Sequence, residues 1–161
     1  MIFRFFAQIY LHGNAYTIFP FNYLYFCTFK LPLNFTGMEE YILEGTDKTP
    51  TIHLKDGLVA IRGRSIPEDP HKVFRSAHQW IADYVKKPAL WTEVNIQIEY
   101  SDTGSTNNIY NILTKLVKCR NLNYNIEMVF NWIYEEDDEE ILELGKFMES
   151  RLNVMFNYIK V

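Results

Sequence analysis

The stretch Glu99-Tyr100-Ser101-Asp102-Thr103-Gly104-Ser105-Thr106-Asn107-Asn108 decides how this chain folds, because two different periodicities meet in it. Upstream, Trp91, Val94, Ile96, Ile98 and Tyr100 alternate with polar residues in period two, with one slip near Thr92-Glu93, so this segment predicts a strand. Downstream, Ile109, Ile112, Leu113, Leu116 and Val117 recur at helical spacing and predict a helix over about 106–120. The Ser and Thr hydroxyls between them stand where the unpaired N–H groups of a helix start need acceptors. N-capping, with Ser105 as the cap, is the plainest role for them. A helix N-terminus also favours negative charge, so a hydroxyl here can carry a phosphate.

Outward from that turn, the same alternation of periods continues. Tyr41–Leu43, Thr51–Leu54 and Leu58–Arg62 are short strand candidates, the last two joined as a hairpin by Lys55-Asp56-Gly57, and Gly63-Arg64-Ser65-Ile66-Pro67 breaks the third. A helix from about Asp69, with Pro70 at an allowed first position, carries Val73, Phe74, Ala77, Trp80, Ile81 and Tyr84 on one face and stops at Lys86-Lys87-Pro88. Tyr124–Ile133 reads as a strand, Glu135–Met148 as a helix and Val154–Val161 as a closing strand. The order β-β-β-α-β-α-β-α-β predicts an α/β domain with a single mixed sheet, parallel through the strand–helix–strand units and antiparallel at the hairpin.

Composition narrows the function. The 161 residues suffice for one core without metals or disulfides, and Cys27 and Cys119 form no CxxC pair, which suits a cytoplasmic protein. A net charge of -4 with no basic run speaks against a nucleic-acid partner. His12, His53, His71 and His78 show no metal-ligand spacing, and His71 and His78 read as two surface positions of one helix. No GxGxxG, Walker loop or GxSxG occurs, so neither a cofactor nor a catalytic residue is expected. Arg62 and Arg64 flank Gly63, where a phosphate could be read, although solvated strand charges are the commoner role. The run Glu135 to Glu140 suits the positive end of a helix dipole, with a protein-docking patch as the alternative and a metal cage disfavoured.

Residues 1–37 stand apart. They hold 12 of the chain's 26 aromatic residues and no Asp or Glu. Gln8, His12, Gly13, Asn14, Pro20 and Asn22 interrupt the apolar run, which a spanning helix tolerates poorly, and no Ala-x-Ala site follows. We expect this segment to lie outside the domain, with translation starting at Met38; a membrane-contacting segment or an arm packed on the domain are the alternatives.

Several motifs together carry a resemblance. Glu44-Gly45-Thr46-Asp47-Lys48-Thr49-Pro50, Gly63-Arg64-Ser65-Ile66-Pro67-Glu68, Tyr100-Ser101-Asp102-Thr103-Gly104-Ser105, Trp132-Ile133-Tyr134-Glu135-Glu136-Asp137-Asp138-Glu139 and the ending Phe156-Asn157-Tyr158-Ile159 resemble the SiaC family of regulatory phosphoproteins, over about residues 40–161. The resemblance implies a STAS-like fold and a non-enzymatic switch. It implies a partner kinase that phosphorylates a threonine at the strand-to-helix turn, a PP2C-type phosphatase that reverses it, and an unphosphorylated form that binds an output protein such as a diguanylate cyclase. The family pattern Tyr-any-Asn-Thr-Ser-Ser falls on Tyr100 to Ser105 and puts the acceptor on Thr103. Asp102 stands in place of the Asn, adding charge, and Gly104 in place of a Ser, which loosens the turn. Asp102, Gly104, Ser105, Arg64, Glu136, Asp137 and Asp138 are the candidate partner contacts, and the free N–H groups of residues 105–107 are expected to receive the phosphate. The rival readings are an enzyme acting on a phosphorylated small molecule through Arg62, Arg64 and the 103–107 turn, and a membrane-tethered scaffold resting on residues 1–37.

Overall fold

The computed structural model describes residues 8–12, 15–19 and 38–161. The chain divides into two units, Met1–Thr36 and Gly37–Val161. In the first, β1 (Gln8–His12) and β2 (Ala15–Phe19) pair as an antiparallel hairpin, where the sequence reading assigned no element. The expectation for the rest of residues 1–37 lies outside the described residues.

The second unit has the expected element order: β3 (Tyr41–Leu43), β4 (Thr51–Lys55), β5 (Leu58–Ser65), α1 (Pro70–Tyr84), β6 (Trp91–Ser101), α2 (Thr103–Leu122), β7 (Glu127–Tyr134), α3 (Glu139–Leu152) and β8 (Asn157–Lys160). Its six strands form one mixed sheet in the order β3-β4-β5-β6-β7-β8. The first three are antiparallel and β5 to β8 run parallel. Parallel neighbours in sequential order, joined by right-handed crossovers, bring all three helices to one side of the sheet. Accordingly α1 packs on α2 and α2 on α3. Ile52, Leu54, Val59, Ile61, Val94, Ile96, Ile98, Met128, Phe130 and Trp132 are buried beneath the helices. On the opposite face, side-chain amides form a ladder: Asn131 Nδ2 donates to Asn95 Oδ1 at 2.7 Å and Asn157 Nδ2 to Asn131 Oδ1 at 3.1 Å.

Tertiary partners move several expected boundaries. Thr92, taken as a slip in the alternation, lies on the buried face with its hydroxyl 2.7 Å from that of Tyr84, while Trp91 is exposed. β5 does not break at Gly63 but continues to Ser65. Gly63 takes φ +94°, and the register with β6 shifts between Gly63 and Arg64. α1 ends at Tyr84, before the lysines. β7 starts at Glu127, past the exposed Tyr124, and β8 is confined to Asn157–Lys160, with Val154 and Phe156 buried ahead of it. α3 starts at Glu139 rather than Glu135, because Asp138 caps it by accepting from Ile141 N at 2.9 Å. Of the acidic run only Glu139 and Glu140 sit in the helix's first turn. At Gly145 the helix approaches Trp132 so closely that a Cβ would lie 2.7 Å from the indole.

Candidate phosphoacceptor site

A single residue, Asp102, separates the end of β6 from the start of α2. Its three polar groups fix the turn. The backbone N donates to Ser65 O at the end of β5 (3.0 Å), the carbonyl accepts from Thr106 N (2.9 Å), and Oδ1 accepts from Ser105 N (2.6 Å). Asp102 is therefore the N-cap of α2, and Ser105, the expected cap, is a buried residue of its first turn. A strand hydrogen bond decides between the two. With Asp102 N already pinned to β5, the chain leaves the sheet there, and the helix begins one residue later. The amides expected to receive the phosphate are already in use at two positions. Ser105 N is committed to the Asp102 carboxylate and Thr106 N to its carbonyl, so the amides without a side-chain acceptor among the described residues are those of Thr103 and Gly104.

The hydroxyls of this turn have different fates. Ser101 Oγ and Thr106 Oγ1 are 2.7 Å apart and bond to each other. Ser105 is fully buried. Thr103, the first residue of the helix, is exposed. Among the four it alone offers an accessible hydroxyl not tied to a neighbour.

Gly104 does not loosen the turn, contrary to expectation. A Cβ at 104 would lie 2.8 Å from Pro70 Cγ, so glycine is what lets the first turns of α1 and α2 touch. Beneath it, Asn108, only 2% exposed, donates from Nδ2 to Gly104 O at 2.8 Å, and its Oδ1 lies 2.8 Å from His78 Nε2 on α1. His78 is thus no surface histidine. Burial holds its pKa below the ordinary value, with the Asn108 bond opposing. Sequence reading placed His78 on the helix surface and gave Asn108 no role; the available signal was an Asn placed one helical turn after Gly104, on the side of Ile109 and Ile112.

The bulge at Gly63 separates the two arginines. Arg62 pairs with Thr51 and Gln97, whereas Arg64 is shifted to pair with Tyr100, and its guanidinium lies 6.0 Å from that ring's centroid. Glu136, Asp137 and Asp138 follow the end of β7, the strand beside β6. Glu136 pairs with Lys160 (3.2 Å) and Asp138 caps α3. Among the described residues no group of three His, Cys, Asp or Glu could hold a metal ion, and no helix is long and apolar enough to cross a membrane.

The model of the SiaC family of regulatory phosphoproteins matches residues 43–161, a span that contains this whole turn. The chain belongs to the SiaC family. Solved structures agree on the fold. Apo-SiaC from Pseudomonas aeruginosa is 20% identical with a TM-score of 0.62, covering 76% of this chain and 98% of that one. A second structure of SiaC of Pseudomonas aeruginosa is 22% identical with a TM-score of 0.61, covering 76% and 97%. A chain in the crystal structure of diguanylate cyclase SiaD in complex with its activator SiaC, from the same organism, is 20% identical with a TM-score of 0.64, covering 74% and 97%. No curated protein sequence matches the chain.

Proposed function

We propose that this member of the SiaC family is a non-enzymatic phospho-switch whose acceptor is Thr103. A partner kinase phosphorylates it, a PP2C-type phosphatase restores it, and the unphosphorylated form binds an output protein of the diguanylate cyclase class. The observation that carries the reading is the accessibility of Thr103 at the first position of α2, where Ser101 and Thr106 are bonded to each other and Ser105 is buried. The family match, and a fold shared with an activator solved in complex with a diguanylate cyclase, support the class of output.

The physics of the switch is local. A phosphate adds about -1.5 to -2 charges and three acceptor oxygens to a surface that a partner must desolvate. Moving a complex from mostly bound to mostly free takes a differential affinity of up to about 5.5 kcal/mol. A doubly charged group buried without a counter-charge supplies energy on that scale. Phosphosite mapping by mass spectrometry, after incubation with the cognate kinase and ATP, tests the reading. Phosphate is expected on Thr103 and absent from Thr103→Ala, which keeps the fold because Asp102 holds the cap. Phosphate on Ser101, Ser105 or Thr106 with Thr103 unmodified would sink the assignment.

A further inference from the structure

We propose that Asp102 is the competing anion of the switch: phosphate on Thr103 and the Asp102 carboxylate compete for the one N-terminal turn of α2, and the phosphate displaces Asp102 from the Ser105 N–H. The inference rests on the reading of Thr103 as acceptor and concerns what the phosphate does once it is there.

The two anions would sit on adjacent residues. The end of a helix offers roughly half a positive charge, and Asp102 already uses it with a full negative charge held 2.6 Å from Ser105 N. No cation neutralises that carboxylate among the described ion pairs, and Arg64, the cation on the neighbouring strand, lies over the Tyr100 ring instead. A phosphate brings more charge and more acceptor oxygens to the same place, so it is the stronger claimant.

The backbone cannot relieve the conflict by moving aside, because it is held at three points. Asp102 N is bonded to Ser65 O, Gly104 is wedged against Pro70, and Gly104 O is held by Asn108. The side chain of Asp102 is the part left free to give way. The turn is also incompletely satisfied as it stands. Ser65 Oγ and Ser105 Oγ, on its two sides, are fully buried without a hydrogen-bond partner. The starts of α1 and α3 are capped in the same way by Asp69 and Asp138, but carry Pro70 and Glu139 where α2 has Thr103.

A double-mutant cycle on the full chain tests the competition. Phosphothreonine is installed at position 103 by genetic-code expansion, so the result stands whichever residue a kinase chooses. The denaturant unfolding constant is then measured for Asp102, Asp102→Ala and Asp102→Asn, with and without the phosphate. Without phosphate, Asp102→Ala should raise the unfolding constant about tenfold, the ordinary effect of losing a cap, and Asp102→Asn should change it little. With phosphate, Asp102→Ala should be neutral or stabilising, and Asp102→Asn, which keeps a neutral acceptor, should be more stable than the parent. An Asp102→Ala effect of the same size in both forms, or an Asp102→Asn protein no more stable than the parent when phosphorylated, would overturn the proposal.

Discussion

At residue 104 two ordinary expectations conflict. Alanine is a better helix former than glycine by up to about 1 kcal/mol, so propensity alone favours Gly104→Ala. But the added methyl would meet a prolyl ring carbon at 2.8 Å, and a proline cannot rotate out of the way as a long side chain would. Forcing atoms into a packed contact costs about 1–3 kcal/mol, so packing outweighs propensity and the substitution should destabilise the protein. Denaturant unfolding decides it: a Gly104→Ala protein as stable as the parent would mean that α1 shifts freely. The same residue shows what sequence could not carry. Gly104 read as a loosening of the turn because its neighbour Pro70 is 34 positions away, and only tertiary packing reveals the contact. Thr103 was singled out as the acceptor through the family pattern alone. That its hydroxyl is the accessible one of four depends on the Ser101–Thr106 bond and on the burial of Ser105, neither of which a single sequence displays.

Among the elements, the strands were legible where their side chains alternate between a buried and an open face, as in β4 and along β6 from Val94 to Ile98. Their ends were not. β5 runs on through Gly63 because a bulge absorbs the glycine, and the acidic run placed the start of the third helix at Glu135, whereas the cap at Asp138 starts it at Glu139. The contact between α1 and α2 makes a further prediction. His78 is held neutral by burial, with its pKa below the ordinary 6.5. The unfolded chain therefore binds more protons than the folded one in the window beneath 6.5. The contribution of His78 to stability is complete above that pH and is lost as pH falls through the window. Replacing it by glutamine, which keeps an amide donor for Asn108, should remove that part of the acid sensitivity. Unfolding measured from pH 7.5 down to pH 5 tests this. Parallel pH profiles for the parent and His78→Gln would show that the titration lies elsewhere.

At the scale of the whole molecule, we expect residues 38–161 to fold by themselves, and the place where the domain begins is set by α1. The family match starts at residue 43, yet three contacts tie earlier residues to the helix and the sheet. Trp80, 8% exposed and stacked on Tyr84 with ring centroids 4.9 Å apart, donates its indole N–H to Glu39 O at 2.7 Å. Glu40 pairs with His53 on β4, and Tyr41 to Leu43 add the edge strand that covers Ile52 and Leu54. A chain starting at Met38 keeps all of these. One starting at Glu44 loses them together, and with them the edge strand and the chain that covers the Trp80 ring. Both truncations should therefore be compared by denaturant unfolding. The Met38–Val161 protein should unfold in one cooperative transition, and the Glu44–Val161 protein should unfold at clearly lower denaturant or fail to fold. A Met38–Val161 protein without a cooperative transition would show that residues 1–37 are structural, whereas equal stability of the two truncations would mean that the Glu39 and β3 contacts contribute little.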